Sequence, residues 1–83
     1  MAVTRRVGRF FANALAAKHR RAASTHDRSA ERHMETAAYW GSSGVPERAV
    51  HEVRNAMLLR QLARLERDRA RLEELIADRA APA

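Results

Sequence analysis

A run of 34 residues without glycine or proline, from 47 to 80, most constrains the fold of this chain. Pro46 precedes it, and proline suits the first turn of a helix because the N–H that it lacks has no helical partner there. Apolar residues then recur at alternating steps of four and three, the spacing of a helix-packing stripe. The stripe comprises Leu58, Leu62, Leu65, Leu72 and Ile76. It predicts a helix from about 46 to 79, roughly 50 Å long.

Glu66, Asp68 and Glu73 give this apolar stripe acidic flanks, which indicate what it packs against. With Leu58 and Leu65 at one repeating core position, Arg69 falls at the other, where its charged end has to reach outward to water. A parallel pair of identical helices would bring Asp68 close to Glu73 of the second copy, and these like charges are unfavourable. The sequence therefore predicts that the stripe packs on a different helix, basic or neutral. Hetero-assembly is expected in preference to a homo-oligomer.

A chain of 83 residues forms at most one small domain, which buries a modest fraction of its surface. It has no cysteine, so neither a disulfide framework nor a thiolate metal site is available. Its four large rings all lie in the first half of the chain: Phe10, Phe11, Tyr39 and Trp40. This thin supply of core residues predicts low stability in isolation and favours a protein that packs on something else.

The net charge of +6 is unevenly distributed along the chain. Residues 1–33 carry eight Lys or Arg against two acidic residues, whereas residues 34–83 carry eight of each sign. This asymmetry favours a polyanion, an anionic lipid surface or an acidic protein face as partner. No stretch approaches the roughly 18 apolar residues of a membrane-spanning helix, and no secretory signal peptide is expected.

Residues 3–23 are predicted to form an amphipathic helix with a basic face. Its apolar side comprises Val3, Val7, Phe10, Phe11 and Ala14, and its arginines are Arg5, Arg6, Arg9, Arg20 and Arg21. One interpretation is a docking helix whose Phe pair contacts a protein while its arginines meet acidic groups. Two others are a membrane-surface segment and a mitochondrial targeting peptide, whose Arg-rich and acid-poor composition the segment resembles. An ordinary helix with a solvated basic side is the remaining alternative.

The Ser-Thr-His-Asp segment at residues 24–27 offers helix-capping side chains and predicts a break before a second helix. Tyr39 and Trp40 end that helix, where they either anchor a hairpin with the third helix or join an interface; we favour the anchor. Gly41 suits the C-cap of the second helix and opens a Gly/Ser turn.

Little in the sequence carries catalytic chemistry. His19, His26 and His33 are spaced by seven residues, which separates neighbours by roughly 10 Å along a helix, too far to share one metal ion. Paired catalytic carboxylates need a cleft that helices this short do not make. Gly41 and Gly44 lack the Lys-Ser/Thr that follows in a phosphate-binding loop. We therefore expect no enzyme activity, no metal site and no cofactor.

Nucleic-acid binding is the main alternative to a protein partner. A net charge of +6 and an Arg-bearing helix are the electrostatic footprint of that function. No helix-turn-helix, zinc-finger or RNA-binding signature accompanies them. A basic-region leucine zipper does not fit, because a turn and a second helix separate the basic segment from the leucine stripe.

These patterns predict an all-α fold of three helices, the last two forming a helical hairpin with a long, coiled-coil-like C-terminal helix. The predicted division is a basic helix in 1–24 and a hairpin in 25–83. The hairpin consists of a helix at about 26–40, a turn at 41–46 and the long helix at about 46–79.

The predicted function is that of a non-enzymatic structural or assembly subunit of a larger multiprotein complex, docking through the basic helix and the leucine stripe. The residues expected at the protein interface are Phe10, Phe11, Trp40, Leu58, Leu62, Leu65, Leu72 and Ile76. Those expected to contact a polyanion or an acidic partner are Arg5, Arg6, Arg9, Arg20 and Arg21.

Two alternative functions stay open. One is an RNA- or DNA-binding accessory protein of a ribonucleoprotein particle, and the other is a small helical regulator of an enzyme. Contact with a membrane surface is a further alternative for the N-terminal helix. We expect an intracellular protein, soluble or peripheral, and the acid-poor N-terminus makes mitochondria one candidate location.

Overall fold

The computed structural model describes the backbone of residues 2–80 and the side chains of residues 7–79. It contains two helices, α1 (Ala2–Ser42) and α2 (Pro46–Ala80), which lie antiparallel in a hairpin. The hairpin is a rod that measures 64 × 13 × 12 Å over its Cα atoms. The all-α class and the long C-terminal helix are confirmed, whereas the prediction of three helices is wrong.

The predicted break in the Ser-Thr-His-Asp segment does not occur, and the predicted end of the first helix lies inside α1. Thr25 stays helical because its hydroxyl donates to the carbonyl of Arg21, one turn earlier, at 3.0 Å. Asp27 does not cap a new helix but pairs across the hairpin with Arg67. Residues 9–40 contain no glycine or proline, so the backbone has no strong reason to leave the helix.

α1 ends in a glycine cap three residues later than predicted. Gly44 has a φ of 77°, a left-handed conformation that glycine adopts without steric cost. The Val45 N–H donates to the Trp40 carbonyl at 2.9 Å, and the Gly44 N–H donates to the Gly41 carbonyl at 3.3 Å. These two bonds form a Schellman cap. Gly41 is therefore within the last turn of α1 instead of capping it, and Pro46 begins α2 as predicted.

Alanine fills the interior between the two helices. The buried residues are Ala12, Ala16, Ala23, Ala30, Ala37, Ala56, Ala63, Ala70 and Ala77, none more than 6% exposed. Among the described residues, no larger side chain is fully buried. All of these alanines except Ala12 recur every seven residues, four on each helix, and we call those eight the alanine seam. Methyl groups allow the helix axes to approach to the short end of the usual range, about 8 Å.

The predicted core stripe of α2 is displaced from the alanine seam by one residue. The predicted core positions of α2 extend from Asn55 to Ile76. In the structure, the residue that follows each of them, from Ala56 to Ala77, lies between the helices instead. One residue corresponds to a rotation of about 100° around a helix. The leucines therefore point out of the hairpin, because α1 offers a matching column of alanines and no matching column of leucines.

Enlarging one alanine of the seam should destabilise the hairpin more than shortening one exposed leucine. Ala63 is 0% exposed, so Ala63→Leu overpacks the helix contact, at a cost of about 1–3 kcal/mol. Leu65 is already 53% exposed, so Leu65→Ala should change the free energy of unfolding by less than about 0.5 kcal/mol. Urea denaturation followed by circular dichroism measures both changes. Equal destabilisation would mean that leucines, not alanines, hold the helices together.

Candidate docking surface

Two broad faces of the hairpin flank the alanine seam, and helical spacing assigns residues to each. Residues one before and two after a seam alanine lie on one face, and residues three before and one after lie on the opposite face. The first face carries six large aliphatic side chains that are 41% to 58% exposed. We call them the leucine face: Leu15, Leu58, Leu62, Leu65, Leu72 and Ile76.

The leucine face contains every residue of the predicted leucine stripe. From Leu58 to Ile76 the face extends for about 27 Å along α2. Leu15 joins it from α1 and was missed by the sequence analysis, because its assignment depends on how α1 is rotated against α2. α1 does not cover the stripe, and its role as a contact surface for another protein stays a prediction.

All charged residues at the positions of the leucine face are basic. They are Lys18, Arg32, Arg69 and Arg79. Of the carboxylates expected to flank the stripe, Glu66 and Glu73 lie half-buried beside α1, and Asp68 pairs with Arg71. Arg69 lies 3.3 Å from Glu66 and is still 62% exposed. The face is thus apolar with a positive rim, which replaces the acidic flanks predicted from the sequence.

The opposite face is closed by ion pairs between the helices. Arg20 pairs with Glu74, and Arg67 pairs with Asp27, with all four side chains partly exposed. Pairs of this exposure contribute little to stability, about 0–1 kcal/mol each. Their effect is on surface character, since this face carries charges of both signs that already satisfy one another.

Two histidine–glutamate pairs cross the hairpin between the alanines. His19 Nδ1 lies 2.6 Å from Glu66 Oε2, and His33 makes the same kind of contact with Glu52. His26 lies between them on the same side of α1, also half-buried. Because α1 is continuous, the seven-residue spacing of the histidines directs all three toward α2. His19 and His33 are thus engaged in contacts between the two helices.

The contact with His19 changes the acidity of its partner. The hydrogen bond from His19 holds the pKa of the Glu66 carboxyl below its ordinary value. Partial desolvation opposes this shift, while the charges of His19, Arg69 and His26 add to it. The Glu66 carboxylate is therefore favoured in the folded hairpin relative to the unfolded chain.

Trp40 lies beside the turn, half-buried at the end of α1. The guanidinium of Arg48 lies over its ring, 4.6 Å from the centroid, a cation–π contact between the two helices. Tyr39 meets the Trp40 ring edge-on, with centroids 5.1 Å apart, and is 62% exposed. These contacts favour the anchoring role for Trp40 over a place in an interface.

The side of α1 that points away from α2 carries an apolar stretch followed by a basic one. Phe10 and Phe11 are 69% and 61% exposed and meet edge-on, with ring centroids 5.9 Å apart. About three turns further on, an open concavity of about 480 Å³ is lined by Arg20, Arg21, Ser24, Thr25 and Arg28. We define the α1 ridge as Val7, Phe10, Phe11, Arg21 and Arg28.

The structure describes the side chains of three of the five arginines predicted to contact a polyanion or an acidic partner. Arg20 is engaged with Glu74 across the hairpin. Arg9 and Arg21 are exposed. The side chains of Arg5 and Arg6 lie outside the described residues. Arg28, Arg32 and Lys18 were not among the predicted contact residues. They lie on the outer surface because α1 is one continuous helix.

Within the described residues, no group of three or more His, Asp or Glu side chains could hold a metal ion. Neither helix, over its described length, contains a stretch apolar and long enough to cross a bilayer. Comparison with protein-family models, with curated proteins and with solved structures finds no match to this chain. Its function is therefore argued from the surfaces of the hairpin.

Acid should weaken the hairpin in part through Glu66. Since the pKa of Glu66 is lowered by folding, its contribution is fully present above the ordinary carboxyl pKa of about 4.5 and is lost as the pH falls through the lower folded value. Glu66→Gln should reduce the loss of urea stability between about pH 5 and pH 3. Glu35→Gln, which neutralises an exposed carboxylate on α1, is the matched control. Identical pH profiles for the two variants would contradict the assignment.

Proposed function

We propose that this protein is a non-enzymatic docking or assembly subunit that binds a helix of another protein along the leucine face. The partner helix is expected to carry an apolar stripe bordered by Asp or Glu. The observation that carries the proposal is that alanine and leucine occupy different surfaces of the helices. Alanines hold the hairpin together, while the six large aliphatic side chains of the leucine face stay 41% to 58% exposed.

The dimensions of the hairpin support a helical partner. The leucine face, about 27 Å long on a rod 13 Å wide, is on the order of 350 Å² in projection. A helix that continues along the 64 Å rod on either side of it reaches the area of about 800 Å² that each partner buries in a standard protein interface. The exposed aliphatic residues follow the axis of α2 at helical spacing, so a second helix can lie along them. An extended strand would find no sheet edge here, because every described element is a helix.

The energetics also favour coverage of this face. Completing the burial of each half-exposed Leu or Ile contributes on the order of 1 kcal/mol. Six such side chains supply several kcal/mol before the losses of translational, rotational and side-chain freedom are subtracted. Exposed apolar surface bordered by polar residues is typical of interaction sites.

The positive charges at the rim of the leucine face indicate that the partner is acidic. Lys18, Arg32, Arg69 and Arg79 accompany the leucines with no carboxylate at the same positions. A second copy of this chain would place positive charges against positive charges, which is unfavourable. A partner with carboxylates beside its apolar stripe can cover the leucines and pair with the cations. Opposite charges also raise the rate of association and make that rate sensitive to salt.

Charged substitutions on the two faces should affect partner binding differently. Tagged wild-type protein is used to capture partners from native lysate after nuclease treatment, and cross-linking mass spectrometry identifies the partner segment that contacts α2. Leu62→Asp with Leu65→Asp should abolish capture. Val50→Asp with Met57→Asp, at residues 49% and 55% exposed outside the leucine face, should preserve it. The cross-linked segment should be helical with an apolar stripe and acidic borders.

A charge-reversal pair tests the rim separately. Arg69→Glu should weaken capture and raise the dissociation rate, whereas Arg64→Glu, an exposed arginine on the opposite face, should leave both unchanged. Loss of all partners on nuclease treatment would support the nucleic-acid alternative and overturn the proposal. A wild-type protein that sediments as a dimer dissociated by Leu62→Asp would identify a second copy as the occupant and would also overturn it.

A further inference from the structure

We propose that the α1 ridge is a second, independent binding surface, which contacts an anionic lipid bilayer. This surface does not require the leucine residues of the leucine face, and Phe11, seven residues before Lys18, lies where the two surfaces meet. The geometry points to a peripheral contact in which two phenylalanine rings enter the boundary between headgroups and acyl chains while guanidinium groups meet lipid phosphates and carboxylates.

The exposed rings are the first observation. Phe10 is 69% exposed and Phe11 is 61% exposed, although a hairpin with an alanine interior has few large apolar residues. Val7, 47% exposed, lies one turn before them. They project from a single convex helix, and an amphipathic helix with aromatic residues on its outer side is suited to burial in the membrane interface.

The charges beside the rings are the second observation. Arg21 and Arg28 lie on the same outward side of α1, and Lys18 stands at its border with the leucine face. Within the described residues, none of these three cations has a carboxylate oxygen within 4.0 Å, and Arg28 instead donates to the Thr25 hydroxyl at 3.3 Å. Cations near an anionic leaflet contribute about 1 kcal/mol each.

The arrangement along the axis is the third observation. From Val7 to Arg28 the ridge extends for roughly 30 Å, apolar first and basic afterwards. No acidic residue occurs before Asp27, and Asp27 points to the opposite face, where Arg67 neutralises it. The first carboxylate on this outward side is Glu35, seven residues beyond Arg28, so the rod can lie on a negative surface from Val7 to Arg28 but not along its whole length.

Nucleic acid is the competing polyanion, and the geometry favours it less. Proteins that bind single strands combine a positively charged groove with aromatic faces on which bases stack. The concavity on the α1 ridge is lined by arginine, serine and threonine and contains no aromatic ring. The two phenylalanine rings lie about three turns away and meet at 73°, edge against face. Only arginines follow the rings along the ridge, so no second stacking platform continues the track.

Vesicle sedimentation of the full chain tests the proposal. The protein should bind vesicles of phosphatidylcholine with phosphatidylserine, and it should not bind phosphatidylcholine alone. Arg21→Gln with Arg28→Gln should weaken binding by about 10- to 30-fold, the effect of removing two cations from an anionic surface. Arg60→Gln with Arg64→Gln removes the same charge from exposed positions on α2 and should leave binding unchanged.

The apolar part of the ridge is tested in the same assay. Phe10→Ser with Phe11→Ser should reduce binding by at least about 10-fold, since each buried ring contributes 1.5 kcal/mol or more. Val50→Ser with Met57→Ser is the matched control on α2. Helix content by circular dichroism is compared for all variants, so that loss of binding is not confused with loss of the fold.

Three outcomes would overturn the proposal. The first is equal binding to both vesicle types, and the second is binding that none of the ridge substitutions alters. The third is displacement of the protein from vesicles by single-stranded RNA together with RNA binding that Arg21→Gln with Arg28→Gln abolishes, which would assign the ridge to nucleic acid. Partner capture through the leucine face is measured separately, so the two proposals can fail independently.

Discussion

The close approach of two helices through alanine is the constraint on which the rest of the structure depends. A seam of methyl groups leaves no room for leucine at the closest contacts between the helices, so most large aliphatic residues of α2 point outward, and Leu59 is half-buried beside the seam. Each seam alanine contributes roughly 0.8 kcal/mol through its methyl group, far less than a leucine. The hairpin therefore does not use these leucines for packing between its helices, and they remain exposed on the leucine face.

The polar contacts of the interior follow from the same geometry. Beside each layer of alanines there is space for a flat ring and a carboxylate, and His19 with Glu66 and His33 with Glu52 occupy it. Directing glutamates toward α1 also removes negative charge from the rim of the leucine face. The positive rim is thus a consequence of how the interior is packed, and it could not be read from α2 alone.

The length and limits of α2 were predictable because a proline and an uninterrupted helical pattern define them. The rotation of the helices was not, because hydrophobicity ranks Leu58 and Leu65 above the neighbouring alanines. The relevant signal was present: alanine recurs every seven residues from 16 to 37 and again from 56 to 77. It identifies a close helix contact only when both columns are considered as a pair. The single long α1 was missed because capping residues such as Thr25 were given more weight than the absence of glycine and proline.

The repeat of the alanine seam has a consequence for alignment. Alanine recurs every seven residues on both helices, so the alanines would still face one another if one helix slid by seven residues along the other. The alanines alone therefore allow several alignments of α1 with α2. The histidine–glutamate contacts oppose a slide in one direction only. A slide one way would leave a single pair, His26 with Glu52, whereas a slide the other way would again give two pairs, His19 with Glu73 and His26 with Glu66. The Schellman cap at Gly44 excludes both slides, since a three-residue connection between the helices leaves no slack. The turn thus decides which of several similarly packed hairpins is formed.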